Sequence, residues 1–126
     1  MDDKKVLVVE DSPTMRQFIG FSLRRLRGLN VEMATDGVDA LKKLTDKDAG
    51  FDLILSDINM PVMDGFTLLT EVKKKDSLKG IPVVMLTTEG HEDDIAKGRE
   101  LGAVGHLTKP INTLKLVTTI RDLLGV

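Results

Sequence analysis

Short apolar segments alternate with longer amphipathic segments along the chain. The strongest apolar runs are VLVV (6–9), FDLIL (51–55) and IPVVML (81–86), and the weaker ones are VEMA (31–34) and AVGHLT (103–108). Apolar residues in these runs are nearly continuous, which is typical of parallel β-strands covered on both faces. The pattern therefore predicts five buried strands.

Between these runs, apolar or small residues recur at the three- and four-residue spacing of a helix. Four segments carry such a stripe: Met15, Phe18, Ile19, Ser22 and Leu26; Val38, Leu41 and Leu44; Phe66, Leu69 and Val72; Leu114, Val117, Ile120 and Leu124. The mostly polar segment 90–100 is predicted to be helical from its position between two strands. Helix-start signals agree, because Ser12 precedes Pro13, and Asp36 and Asp64 can cap the next two helices.

The alternation of five strands with five helices predicts one α/β domain with a parallel sheet, filling residues 1–126. Right-handed crossovers place helices on both faces of the sheet and give three layers. Function in such sheets gathers at the carboxyl ends of the strands, near the point where the strand order reverses.

Composition and charge exclude several classes of function. Eighteen basic and 20 acidic residues leave a net charge of −2, so nothing indicates a general electrostatic contact with nucleic acid. The absence of cysteine excludes disulfides, thiolate catalysis and zinc–thiolate sites. The apolar stretch in MDDKKVLVVE is too short for a signal peptide or a membrane span. We therefore expect a cytoplasmic protein that contacts neither membrane nor nucleic acid.

Charged and hydroxyl side chains stand at the predicted carboxyl ends of the strands. They are Glu10 and Asp11 after the first strand, Asp57 after the third, Thr87 after the fourth and Lys109 after the fifth. If the first and third strands are adjacent, Glu10, Asp11 and Asp57 converge on one pocket. Considered alone, Asp57 is better interpreted as a strand-ending turn residue. The other side chains make it a candidate for chemistry.

Three carboxylates in one pocket would raise one another's pKa values, so positive charge is needed to hold them ionised. Lys109 supplies one charge, and a divalent cation would supply two more. Oxygen ligands without His or Cys favour a hard ion, so Mg²⁺ is the predicted metal, with Mn²⁺ as a possible substitute. A metal held by so few protein groups leaves coordination positions for a phosphate oxygen.

Four motifs at these strand ends together resemble the receiver domain of two-component response regulators. They are VEDSPTMR, DINMPVMDG, LTT and LTKP, after the first, third, fourth and fifth strands. The match covers essentially the whole chain and looks most like the single-domain, chemotaxis-type members, because no residues remain for an output domain. The resemblance implies a flavodoxin-like, doubly wound sheet with strand order 2-1-3-4-5 and five helices.

The resemblance also implies roles for the acidic residues. Asp57 matches the phospho-acceptor, the nucleophile that attacks phosphorus on a partner's phosphohistidine. Glu10 and Asp11 match the acidic pair that holds magnesium together with Asp57, and the backbone carbonyl of Asn59 matches a further ligand. Many members carry Asp where this chain has Glu10, and the longer side chain preserves oxygen ligation.

Three residues are implied to bind or report the phosphate. Lys109 matches the amine that binds it, in a Lys109–Pro110 peptide that is cis in this family, and Thr87 matches the reporting hydroxyl. His106 stands where the family usually carries an aromatic residue that swings inward on phosphorylation. Histidine is polar and titrates near neutrality. His106 is thus either a pH-sensitive switch partner of Thr87 or a half-exposed strand residue without that role.

These residues predict a stand-alone signalling protein rather than a metabolic enzyme. A histidine kinase or a phosphotransfer protein would donate the phosphoryl group to Asp57, and the domain would later hydrolyse it, with Asn59 and Glu89 flanking the water path. Positioning and charge neutralisation account for most of such catalysis. The expected monomer would signal by binding a protein target on the surface of the fourth helix, fifth strand and fifth helix (90–100, 103–108 and 111–124).

Other functions agree less well with the residues. A haloacid-dehalogenase-type phosphatase resembles D-x-D-x-T after the first strand, whereas here the acid follows the third strand and its +2 position is Asn59. A flavodoxin-like cofactor carrier needs a Ser/Thr/Gly-rich phosphate loop, which EDSPTMR does not resemble. A degenerate receiver that only binds partners is disfavoured because all five site positions are filled.

Overall fold

The computed structural model describes residues 3–88 and 90–126, in which strands and helices alternate. The strands are β1 (Lys4–Val9), β2 (Leu29–Ala34), β3 (Leu53–Asp57), β4 (Val83–Thr88) and β5 (Gly105–Lys109). The helices are α1 (Pro13–Leu23), α2 (Gly37–Leu44), α3 (Gly65–Lys74), α4 (Glu92–Glu100) and α5 (Thr113–Leu124). The predicted succession is confirmed, although β3, β4 and β5 each begin two residues later than the apolar runs that predict them.

All strand pairs are parallel, and the strand order is β2-β1-β3-β4-β5, as predicted. The chain leaves β1 towards β2 on one side and returns to β3 on the other, so the order reverses between β1 and β3. A crevice forms at the carboxyl ends of strands at such a reversal. The fold therefore places Glu10, which follows β1, next to Asp57, which ends β3.

Each face of the sheet carries its own apolar core. Val6 and Val8 of β1 pack with residues of α1 and α5, including Ile19 and Ile120. Neighbouring positions on β1, such as Leu7, belong to a second core with residues of α2 and α3. Because successive side chains of a strand point to opposite faces, burial of both faces explains why the strands are continuously apolar.

The helix starts confirm the predicted caps. The Oγ of Ser12 accepts a hydrogen bond of 3.2 Å from the backbone N–H of Met15. Asp36 and Asp64 cap α2 and α3 in the same way, each accepting a 2.8 Å bond from the N–H three residues later. None of the helices in the described part of the chain is long and apolar enough to cross a membrane.

Two helical stripes differ from the prediction. Leu114 is 69% exposed, because the buried side of α5 consists of Leu116, Val117 and Ile120 and Leu114 lies beyond its edge. Helix α1 ends at Leu23, so the predicted stripe residue Leu26 lies outside the helix.

Candidate functional site

Three carboxylates lie together at the carboxyl ends of β1 and β3. One oxygen each from Glu10, Asp11 and Asp57 lies within 4.8 Å of the other two. Glu10 and Asp57 are only 1% and 6% exposed, whereas Asp11 is exposed. Such a set of oxygen donors fits a hard divalent cation such as Mg²⁺, which binds a few carboxylates and keeps several waters.

Hydrogen bonds hold the Asp57 side chain at the end of β3. The backbone N–H of Ile58 donates to Asp57 Oδ1 at 2.9 Å, and Ser56 Oγ donates to the Asp57 carbonyl oxygen at 2.9 Å. The start of α3 packs directly on this peptide, since a Cβ on Gly65 would lie 2.2 Å from the Asp57 carbonyl oxygen. Gly65 therefore allows α3 to approach the Asp57 backbone closely, which is a role in addition to its predicted one at the start of a helix.

Lys109 supplies the positive charge of the cluster. Its Nζ lies 3.3 Å from Glu10 Oε2 and 3.2 Å from Asp57 Oδ1. The side chain extends from the end of β5 past β4 to reach these carboxylates, and the Lys109–Pro110 peptide is cis. Both carboxylates that are buried are thus paired with the same ammonium group.

Burial and mutual proximity change the proton affinities of these groups. Burial, together with the nearby Asp57 carboxylate, raises the pKa of Glu10 to about 6, while Lys109 and the Ser12 N–H act in the opposite direction. Burial alone would lower the pKa of Lys109, but Asp57 and Glu10 outweigh it and raise that pKa. The site is therefore short of positive charge, since one ammonium group does not hold Glu10 fully ionised near pH 6.

A match to a protein-family model decides which family the chain belongs to. Residues 6–121 match the model described as the response regulator receiver domain. The chain belongs to this family. The assignment confirms the resemblance found in the motifs and favours a receiver over a dehalogenase-type phosphatase or a flavodoxin-like carrier.

Similarity to curated relatives and to solved structures agrees with the assignment to the receiver-domain family. The chain is 43% identical over 98 residues to the probable transcriptional regulator ycf29 of Porphyra purpurea. This match covers 78% of this chain and 46% of that protein, so the chain spans about half the length of this relative. It is 37% identical over 112 residues to the chemotaxis protein CheY-3 of Vibrio cholerae, covering 89% of this chain and 85% of that protein. The structure of the chemotaxis response regulator CheY4 of Vibrio cholerae matches with a TM-score of 0.86 and 40% identity, covering 96% and 98%.

Receiver domains as a family take a phosphoryl group from histidine kinases, generally bind Mg²⁺ and signal to protein targets. The acidic cluster of this receiver domain is compatible with such a metal. Its chemotaxis relatives make it CheY-like.

The structure places Thr87 beside the site with its hydroxyl directed towards β5. The side chain is 1% exposed, and Oγ1 lies 3.5 Å from the Leu107 carbonyl oxygen and 3.5 Å from Thr108 Oγ1. In the described part of the chain, this hydroxyl makes no hydrogen bond to Asp57 or Lys109. Thr87 is thus near the carboxylates but is not joined to them.

His106 lies on β5, where it pairs with Met85 of β4, two residues before Thr87. Its half-buried side chain lines a narrow cleft between α4 and β5 together with Asp94 and Arg99. The residue is therefore placed between the interior and the α4 surface, which agrees with both interpretations made from the sequence.

The loop after Asp57 brings Asn59 to the surface two residues beyond the acceptor position. The loop then turns sharply at Val62, which has a positive φ of 68° and accompanies a 2.7 Å bond from the Met63 N–H to the Pro61 carbonyl. Glu89, the other residue predicted to flank the water path, lies outside the described residues.

Sequence reasoning missed one residue that supports the cluster. Arg16 of α1 donates from Nη1 to the backbone carbonyl oxygen of Glu10 at 2.7 Å, while the Ser12 N–H donates to Glu10 Oε1 at 3.2 Å. Arg16 lies four residues after the helix cap, one turn into α1, where it ends the VEDSPTMR motif.

The raised pKa of Glu10 predicts how the stability of the metal-free protein depends on pH. The folded state keeps the Glu10 proton between about pH 4.5 and 6, whereas the unfolded chain releases it at its ordinary pKa of 4.5. The free energy of unfolding should therefore fall as the pH rises through this window, by about 2 kcal/mol from this residue.

Glu10→Gln should remove this loss, so the variant should exceed the wild type in stability at pH 7 by up to about 2 kcal/mol while matching it near pH 4. Urea unfolding followed by circular dichroism in the presence of a chelator measures both proteins. Parallel stability curves for the two proteins across the window would show that Glu10 is not desolvated in this way.

Proposed function

We propose that this receiver domain transfers a phosphoryl group from the phosphohistidine of a histidine kinase or a phosphotransfer protein onto Asp57, and later hydrolyses the aspartyl phosphate itself. The observation that supports the proposal most directly is the environment of the Asp57 carboxylate. Its Oδ1 accepts a hydrogen bond from the Ile58 N–H and forms an ion pair with Lys109, and Oδ2 has no such partner among the described residues. One oxygen is thus held in place while the other is left to act as the nucleophile.

In the proposed reaction the Asp57 oxygen attacks phosphorus in line as the nitrogen–phosphorus bond of the donor breaks. The histidine nitrogen leaves with the bonding electron pair, and Asp57 becomes an acyl phosphate. Lys109, already 3.2 Å from Asp57 Oδ1, donates hydrogen bonds to the phosphoryl oxygens. Hydrolysis occurs when water attacks the phosphorus and the bond to Asp57 breaks, which releases phosphate and regenerates the carboxylate.

Glu10, Asp11 and Asp57, with the backbone carbonyl of Asn59, would hold the Mg²⁺ ion, and Mn²⁺ would be an acceptable substitute. The bound ion supplies additional neutralisation of the phosphoryl oxygens. The three carboxylates fit this task because their oxygens already lie within 4.8 Å of one another.

We further propose that the signal leaves as a stand-alone binding event on the surface formed by α4, β5 and α5. The likeness to the chemotaxis protein CheY-3, over 85% of that protein, supports a signal carried by binding at the receiver surface itself. The Thr87 hydroxyl would leave its contacts on β5 and turn to the phosphoryl group, and His106 would move within the cleft beside α4. A monomer would present this surface to a protein target.

Incubation with acetyl [³²P]phosphate tests the proposed reaction. With Mg²⁺ the protein should acquire acid-stable, base-labile label, and a chelator should abolish the labelling because the three carboxylates then lack their cation. Label that is acid-labile, or that forms equally well with the chelator, would contradict phosphorylation of a carboxylate at this site.

Beryllofluoride, a mimic of the phosphoryl group, tests the route through Thr87. With Mg²⁺ it should shift the amide resonances of α4 and β5 in the wild type, and Thr87→Ala should retain the shifts near Asp57 but lose most of those in α4 and β5. His106→Ala then decides the role of His106, since loss of the α4 shifts alone identifies it as the switch partner. Val104→Ala, at an exposed position directly before β5, serves as the control.

A further inference from the structure

The outer edge of β2 has no partner strand in the described part of the chain. β2 pairs only with β1 in the described sheet, and the Gly28 and Ala34 carbonyls accept bonds from Lys4 and Glu10 on that side. Since the backbone groups of alternate residues point the same way, those of Leu29 and Val31 point outward. β2 contains neither Pro nor Lys, the residues that commonly block pairing at an edge.

Within residues 3–88 and 90–126, one end of this edge is covered. Lys43 of α2 donates from Nζ to the Met33 carbonyl oxygen at 2.5 Å, which occupies an outward-pointing acceptor. Leu29 and Val31 thus retain two N–H and two C=O groups for an added strand.

An apolar groove lies beside this edge. It separates α1 from β2, has a volume of about 590 Å³, and has Leu29, Val31 and Met33 on its floor. These three side chains are only half-buried, and Phe21 on the α1 wall is 67% exposed. A strand added to β2 would place alternate side chains on this floor, because it would continue the same face of the sheet.

The rim of the groove is basic. Arg16 of α1 and Arg24, the C-cap of that helix, line it, and no Asp or Glu does so among residues 3–88 and 90–126. The whole chain has a net charge of −2, so this positive rim is a local feature. The hydrogen bond from Arg16 to the Glu10 carbonyl holds one of the two guanidinium groups in place and reduces the entropy that binding would cost.

The spacing of the arginines matches an extended ligand. They are eight residues apart, from the first turn of α1 to its C-cap, which corresponds to about 12 Å along the helix axis. Two residues four apart on a strand face the same side and lie about 13 Å from each other. An acidic residue, an apolar residue and a second acidic residue at alternate positions would therefore meet Arg16, the apolar floor and Arg24.

We propose that this groove binds an extended acidic segment of a partner protein, which adds to β2 as a sixth strand. The segment carries Asp or Glu at positions i and i+4 and an aliphatic residue at i+2. Backbone hydrogen bonds to Leu29 and Val31 supply affinity, and the two arginines and the floor supply specificity. The site is separate from the α4, β5 and α5 surface.

The probe is a seven-residue peptide, acetyl-Thr-Glu-Thr-Leu-Thr-Glu-Thr-amide, titrated into the full ¹⁵N-labelled chain. The amide resonances of Leu29 and Val31 should shift, and a peptide with both Glu replaced by Lys should not bind. A peptide with Leu moved by one position, onto the opposite face of the strand, should bind weakly. N-methylation of the peptide backbone should abolish binding, which a purely side-chain contact would not show.

Matched variants locate the site. Arg24→Glu should weaken the binding of the acidic peptide about tenfold, since the substitution replaces an attraction by a repulsion. Arg121→Glu, an equal change of charge on an exposed position of α5, should leave the affinity within about twofold. Each variant is compared with the wild type by its thermal unfolding as a check on folding.

Three results would overturn the proposal: no shifts at millimolar peptide, equal weakening by both variants, or shifts confined to other faces. Vesicles of anionic phosphatidylglycerol provide the competing ligand. If they bind through Arg24 and Phe21 while the peptide does not bind, the groove contacts membrane and not an acidic peptide.

Discussion

Replacing Asp57 with Asn is expected to abolish the incorporation of label from acetyl [³²P]phosphate, by more than roughly 10³-fold relative to the wild type. The amide lacks the nucleophilic oxygen anion, while the similar shape of Asn preserves the packing at the end of β3. Label is counted on the intact protein after acid quenching, at several times and with saturating Mg²⁺.

Asp64→Asn is the matched control, because it makes the same chemical change seven residues away at an exposed helix cap. Asn caps helices about as well as Asp, so α3 should form normally and labelling should stay within about twofold of the wild type. Undiminished base-labile labelling of Asp57→Asn would place the acceptor on another carboxylate and would contradict the proposed role.

Lys109→Met should slow phosphorylation by about 10²–10³-fold, the usual effect of removing one group that stabilises the transition state. The Lys109 ammonium group lies within 3.3 Å of both buried carboxylates. In the wild type its charge would stabilise the oxygens of the phosphoryl group during transfer, and the variant lacks this charge. Initial rates of label incorporation from acetyl phosphate at saturating Mg²⁺ give the change.

Lys115→Met provides the control, since Lys115 is an exposed lysine on α5 and its loss should alter the rate by less than about twofold. Lys109→Arg should recover part of the rate because it keeps the charge with a different geometry. Equal rates for wild type and Lys109→Met, in variants that fold normally, would show that Lys109 only balances the charge of the resting site.

The meeting of Glu10, Asp57 and Lys109 could be predicted from sequence because it depends on topology. Each residue ends or directly follows a continuously apolar strand, and the carboxyl ends of parallel strands share one edge of the sheet. The site residues therefore follow once the strands and their order are known, and the motifs supplied the order.

Side-chain directions could not be predicted in the same way. The Thr87 hydroxyl contacts the Leu107 carbonyl on β5, although the sequence only indicated a hydroxyl at the end of β4. Local packing selects among rotamers, and no periodicity in the sequence records that choice. Leu114 shows the same limit, since its exposure depends on how far α5 is rotated against the sheet.

Close contacts with the backbone could not be predicted from the sequence either. Gly65 reads as an ordinary helix-start residue, yet the lack of a side chain allows α3 to rest on the Asp57 peptide. Arg16 reads as a surface residue of α1, yet it bonds to the Glu10 carbonyl. Both contacts close a short loop after a strand, and the residue types do not specify the geometry of that loop.

The most direct test of the central claim is to identify the phosphorylated residue chemically. Protein treated with acetyl phosphate and Mg²⁺ is reduced with borohydride, which converts an aspartyl phosphate to homoserine, and is then digested and sequenced by mass spectrometry. We expect homoserine at position 57 and unchanged acidic residues at positions 10 and 11. A reduced carboxylate at position 10 or 11, or a stable phosphate on a serine or threonine, would contradict it.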